Sequence, residues 1–236
     1  MLRLDKLLAD FGIGTRNEVK KILKLGQISI NGVIIKNGST KVNPNSDIIK
    51  YKDNIVNYSK YIYIILNKPQ GVISATKDSS DKTVIDILPE KYKNKGLFPV
   101  GRLDKDTTGL LLLTNDGEFA HNTLSPKKHI TKTYIAEFDG NLPSDAANRF
   151  IKGIELKDFK CKPAILNIIS EHRAQVIISE GKYHQVKRMF KVLGCSIKVL
   201  KRTAFGDIVL VSSLKEGEAR ELNESEMKYI SKFCGK

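Results

Sequence analysis

From Tyr61 onward the chain is built of short apolar runs, YIYIIL, GLLLLT, KTYIAEF, AILNII, AQVIIS, IKVL and DIVLV, separated by turn-forming residues. None exceeds strand length, so no segment approaches the roughly 20 apolar residues of a membrane-spanning helix. Many strands and few helices predict an α+β body on a mixed, largely antiparallel sheet. Two helices are readable within it. One covers Tyr183 to Leu193 and stops at Gly194; the other follows Asn223, where Asn-Glu-Ser-Glu offers a cap. Neither repeats nor low-complexity tracts interrupt the pattern.

The first 50 residues follow a different rule. Leu4, Leu7, Leu8 and Phe11 form an amphipathic stretch, Gly12-Ile-Gly14 breaks it, and Thr15-Arg-Asn-Glu18 has the spacing of a capping box opening a second helix to about Leu25. Asn31-Gly32 tolerates the positive φ angles of a two-residue hairpin turn, and a strand near Asp47 to Lys50 completes the unit. Lys52 to Lys60 is polar and aperiodic and reads as the linker. The expected domains are therefore residues 1–58 and 59–236.

Charge narrows the partner. The 236 residues carry 40 Lys and Arg against 26 Asp and Glu, a net +14, which suits a polyanion. Residues 1–60 alone hold 11 basic and 5 acidic residues, or +6, and Arg16, Lys20 and Lys24 recur at helical spacing as a stripe that suits phosphates or simply faces solvent. Nucleic acid is the first expectation and an anionic membrane the second. MLRLDKLLADFG carries acids among its apolar residues and does not read as a secretory leader, so a cytoplasmic protein is expected. Cys161, Cys195 and Cys234 are odd in number and far apart, which argues against a disulfide framework and a zinc ribbon.

The densest local signal is GRLDKDTTGLLLLTNDG, residues 101–117, a polar glycine-bounded loop joined to an apolar strand that ends in an Asn-Asp-Gly turn. Such a layout presents loop side chains at the edge of a rigid sheet. A carboxylate there serves as nucleophile, base, metal ligand or cap, and physics alone does not choose between Asp104 and Asp106. The second signal is EGKYHQVKRMFK, residues 180–191. As a helix it places Val186, Met189, Phe190 and Leu193 on a core face, and His184, Lys187, Arg188 and Lys191 on a cationic one. His121, His129, His172 and His184 are scattered, so no metal site is expected. Neither a phosphate-binding GxxxxGK[ST] loop nor a strand followed by GxGxxG occurs, so any chemistry is expected to run without a cofactor.

RLDKLLADFG followed by TRNEVKKILKLGQISING resembles the S4-type RNA-binding domain over nearly all of residues 1–48. That resemblance implies RNA contact by Arg3, Lys6, Thr15, Arg16, Lys20 and Lys21, and no chemistry. The motifs Asn67-Lys-Pro-Gln-Gly71, GRLDKDTTGLLLLTNDG, Lys132-Thr-Tyr134 and EGKYHQVKRMF, in this order and spacing, resemble the RsuA-type pseudouridine synthases across the whole chain. The implied reaction is an isomerisation in which the uracil C1′–N1 bond breaks and a C1′–C5 bond forms. It makes Asp104 the nucleophile, attacking either the ribose or the uracil ring, and leaves Asp106 secondary. It also implies that Tyr134 stacks on the target base and helps remove its C5 proton, and that a cation from the HQVKR helix pairs with Asp104.

By register that cation is Lys187. Many relatives carry arginine there, and a lysine keeps the charge but loses the two-pronged contact, with Arg188 as the substitute. Arg102 resembles the residue that fills the stack when the target nucleotide is turned out, unless it only braces the loop. His184 and Arg188 are expected on RNA as well. Ribosomal RNA is the implied partner, with the YHQVKRMF wording and an end without a basic tail resembling the 16S small-subunit enzymes more than the 23S ones. A monomer is expected. Two further readings are a glycosidase-like carboxylate pair and a non-catalytic ribosome-assembly factor. Residues two apart on an extended loop point to opposite sides, which disfavours pairing Asp104 with Asp106.

Overall fold

The Thr15 spacing does what a capping box requires. The Thr15 hydroxyl accepts the Glu18 N–H, and the Glu18 carboxylate accepts the Thr15 N–H at 2.7 Å, so helix α2 (Arg16–Lys24) begins with its first donors satisfied. The computed structural model describes residues 1–44, 46–56, 61–125 and 128–234. Two compact units divide the chain, Met1–Tyr61 and Ile62–Lys236. The boundary expected between residues 58 and 59 lies outside the described residues.

In the first unit, β1 (Leu2–Arg3) runs into α1 (Leu4–Phe11), which ends at Gly12 in the left-handed region with φ 99°. Leu4, Leu7 and Leu8 of α1 meet Val19 and Leu23 of α2 in a fully buried core. Strands β2 (Ile28–Ile30) and β3 (Val33–Ile34) form the hairpin, with Asn31 and Gly32 at φ 50° and 84°, and β4 (Lys41–Val42) pairs with β1. The last expected strand is β5 (Ile49–Tyr51), paired with β2. Where a structureless linker was expected, Lys52 turns the chain at φ 43° and β6 (Asn54–Ile55) pairs back onto β5. A turn made by a non-glycine residue left no signal there.

The second unit contains β7 (Tyr63–Lys68), α3 (Glu90–Lys93), β8 (Phe98–Pro99), β9 (Thr108–Thr114), α4 (Gly117–Leu124), β10 (Lys132–Asp139) and α5 (Ala146–Lys152). It continues through β11 (Ile165–Ser170), β12 (Arg173–Ile178), α6 (Gln185–Val192), β13 (Ser196–Phe205), β14 (Ile208–Val209), β15 (Ala219–Glu221) and α7 (Glu224–Ser231). One sheet runs in the order β11-β12-β10-β13-β9-β7-β15, with β14 on β13 and β8 on β9. Every pairing is antiparallel except β9 with β13, where Arg202 lies opposite Gly109. Strands β7 and β9 are buried at every position, which is why they read as unbroken apolar runs rather than alternating ones.

Tyr134, Ala136 and Phe138 are the buried, alternating side chains of β10, and helices α5 and α6 cover them: Phe190 lies 5.0 Å from Phe138 and 5.9 Å from Phe150 between ring centroids. Helix α6 starts at Gln185, two residues later than expected, because His184 adopts a left-handed backbone (φ 48°, ψ 29°) that no helix can include. The expected Asn-Asp-Gly turn instead opens α4, with Asp116 accepting the Phe119 N–H at 3.0 Å as its cap. The three cysteines are free thiols. Among the described residues no helix is long and apolar enough to cross a membrane.

Candidate active site

The loop between β8 and β9 is held from beneath by the segment that follows β7. Lys68 is wholly buried, and its ammonium donates to the carbonyls of Pro69 at 3.0 Å, Lys105 at 3.3 Å and Thr107 at 2.9 Å. Gly71 N–H reaches the same Lys105 carbonyl at 2.9 Å, and the Ser74 hydroxyl both donates to the Leu103 carbonyl and accepts its N–H. These bonds fix residues 103–107 on both sides of Asp104. Burial pushes the Lys68 pKa down to about 8, against the opposing pull of the Asp106 and Asp104 carboxylates.

Within this clamp the chain turns, with Thr107 N–H bonding back to the Asp104 carbonyl at 3.1 Å. The turn corrects the expectation that Asp104 and Asp106 point apart. Both carboxylates meet one ammonium, Lys187 Nζ, at 3.1 Å from Asp104 Oδ2 and 2.5 Å from Asp106 Oδ1. Partial burial works against ionisation of Asp106, but the Lys187 charge outweighs it and holds this carboxyl below its usual value. Burial likewise opposes the charge on Lys187, and the two carboxylates outweigh it and raise its pKa. His184 Nε2 approaches the other oxygen of Asp104 at 3.5 Å.

Arg188 takes no part in this contact. Its guanidinium pairs with Asp158 and lies 5.2 Å from the Phe159 ring centroid. The reason is helical geometry: consecutive residues of α6 stand about 100° apart, so the faces presented by Lys187 and Arg188 differ. Arg102, Leu103, Asp104, Tyr134, Lys187 and Leu200 line one pocket of this unit, together with the His184 turn. An anionic oxygen thus sits beside an aromatic ring and apolar walls, with a cation behind it. The arrangement suits a planar, polar ring brought next to a carboxylate.

The residues expected on RNA in the first unit are divided. Lys6, Arg16, Lys20 and Lys21 are exposed, whereas the Arg3 guanidinium makes a two-pronged contact with the nearly buried Asp5, and the Thr15 hydroxyl belongs to the α2 cap. Sequence reasoning missed Lys68 and Ser74. The available signal was a lysine closing an apolar run just before Pro-Gln-Gly, where burial rather than exposure had to be inferred. Among the described residues no group of three or more His, Cys, Asp or Glu is placed to hold a metal ion.

Comparison with known proteins gives this arrangement its class. A profile described as RNA pseudouridylate synthase matches residues 62–191, and an S4 domain profile matches residues 2–48. The chain belongs to the RNA pseudouridylate synthase family, enzymes that isomerise uridine to pseudouridine, in the form that carries an S4 domain. It is 42% identical to an uncharacterized RNA pseudouridine synthase of Bacillus subtilis over 98% of each chain. It is also 37% identical to ribosomal small subunit pseudouridine synthase A of Escherichia coli, over 96% of this chain and 98% of that one. A crystal structure of a pseudouridylate synthase, 38% identical, covers 98% of this chain and 100% of that chain with a TM-score of 0.69.

Proposed function

We propose that the chain converts one uridine of small-subunit ribosomal RNA to pseudouridine, as a cytoplasmic monomer and without a cofactor, and that Asp104 is the nucleophile. The observation that carries the site assignment is the single Lys187 ammonium shared by Asp104 and Asp106. Asp106 holds the shorter contact and anchors the cation. Asp104 makes the longer contact with the same charge through one oxygen, and the oxygen left to meet the substrate is the one His184 approaches at 3.5 Å. In the reaction Asp104 bonds either to C1′ or to the uracil ring and is released once C1′ has bonded to C5. Meanwhile the C1′–N1 bond breaks and the uracil turns, and finally the C5 proton leaves and N1 takes up a proton, so the formula is unchanged. Tyr134, on the pocket wall, stacks on the base and serves its C5 proton.

Arg102, exposed at the mouth of the pocket, fills the space that the flipped nucleotide leaves in the RNA. His184 steadies Asp104 from its other oxygen, and Arg188 contributes positive charge to the RNA path. In the S4 unit the exposed cations Lys6, Arg16, Lys20 and Lys21 contact phosphates. Support for the small-subunit substrate is likeness to named relatives over nearly the full chain. The test is to incubate the pure protein, without additives, with separated 16S and 23S ribosomal RNA and to map pseudouridine. One new site in 16S RNA is expected; modification confined to 23S RNA overturns the substrate assignment.

A further inference from the structure

The turn before α6 carries an aromatic ring that the reaction above leaves unused. Tyr183 is 72% exposed, and its ring lies on the His184 imidazole at 3.8 Å between centroids and 17° between planes. His184 lines the pocket and holds the left-handed backbone described above, a conformation that costs free energy unless its surroundings impose it. Those surroundings are a buried amide bracket. Gln185, 3% exposed, accepts the Lys182 N–H at 3.0 Å and donates to Glu180 at 2.8 Å, while Glu180 also accepts the Lys162 N–H at 2.8 Å. The bracket ties the chain on either side of Tyr183, one face of its ring lies on a residue of the pocket wall, and most of the ring stays in water.

A lone exposed tyrosine needs no explanation. A tyrosine backed by a second ring, at the edge of a pocket that admits a flipped base, has one. Turning a uridine out of RNA deprives the bases on both sides of a stacking partner; Arg102 fills one side, and an exposed π-face at the pocket edge takes the base on the other with little regard for its identity. Lys182 and Arg102 supply positive charge around the same opening, where the backbone on either side of the flipped nucleotide must pass.

We propose that Tyr183, backed by His184, is the stacking platform for the base adjacent to the target uridine. The proposal rests on the proposed function and adds a subsite to it. The experiment uses the full-length protein and a ribosomal RNA fragment carrying 2-aminopurine on the 5′ or the 3′ side of the modified uridine. Binding to wild type is expected to quench the fluorescence at one of these two positions. Tyr183→Ala is expected to abolish that quenching and weaken binding on the order of 10- to 100-fold, the loss appearing in KM far more than in kcat. Tyr183→Phe, which keeps the ring, is expected to retain both.

Unchanged quenching and affinity in Tyr183→Ala overturn the platform. So does a Tyr183→Phe variant that fails as badly as the alanine variant while melting at the wild-type temperature. Wild-type protein that makes no pseudouridine in the unlabelled fragment overturns instead the reading on which the platform rests.

Discussion

At the scale of single residues, the site is an arrangement of lysines. Lys187 meets two carboxylates from one ammonium, at 3.1 Å from Asp104 and 2.5 Å from Asp106, as a point charge without the two-pronged contact an arginine would make. Removing it in Lys187→Met should lower kcat about 100-fold, or about 2.7 kcal/mol of barrier, with KM little changed. Asp106→Asn should cost only about tenfold, because the contact with Asp104 survives. Steady-state rates on one RNA fragment check both, and equal losses would show that Asp106 does more than anchor. Lys68 makes the second prediction. Its folded pKa, about 8, lies below the ordinary lysine value of 10.5, so between these limits the unfolded chain holds a proton that the folded one releases. Its contribution to stability therefore rises with pH across that window. The neutral amine has two hydrogens for three carbonyls, so the loop clamp loosens as it forms. Urea unfolding at pH 8 and pH 10 should show a pH-dependent gain in wild type that is smaller in Lys68→Met; an identical gain would place the titration elsewhere.

Among the elements, the parallel join of β9 and β13 decides where the loop sits. A Cβ on Gly109, whose φ is 100°, would meet the Arg202 carbonyl oxygen at 2.2 Å, so no other residue fits this approach. Gly109→Ala should destabilise the protein by about 3 kcal/mol or more through backbone strain and a widened sheet. Denaturant melts measure it, and a change under about 0.5 kcal/mol, the range of an ordinary surface substitution, would mean the strands can separate freely. Elements set by local chemistry were legible in the sequence: the Thr15 and Asn223 caps, the Asn31-Gly32 hairpin, and the apolar faces of α1 and α6 all depend on residues within a few positions of one another. The start of α6 was misjudged because the His184 backbone is fixed by Gln185 and the packing beyond it. The Asp104 loop was misread as extended because its turn is imposed by Lys68 and Ser74, each about 30 or more residues away, and no local pattern reports such bonds.

On the scale of the whole molecule, the S4 match and the pseudouridylate synthase match fall in separate units of one basic chain. If the α2 stripe of Arg16, Lys20 and Lys24 lies on phosphates, replacing all three with glutamine should flatten the dependence of log affinity on log salt by about 2, at about 0.7 per contact with single-stranded RNA. An unchanged slope would place the phosphates elsewhere. The same division lets chemistry be removed while binding stays. Asp104 stands in a loop held by backbone bonds that its own carboxylate does not make, so Asp104→Asn should fold and bind RNA as wild type does. The decisive measurement is single-turnover pseudouridine formation by Asp104→Asn on a fragment to which it binds with wild-type affinity. No product is expected, and turnover at the wild-type rate would contradict the assignment of Asp104 as nucleophile.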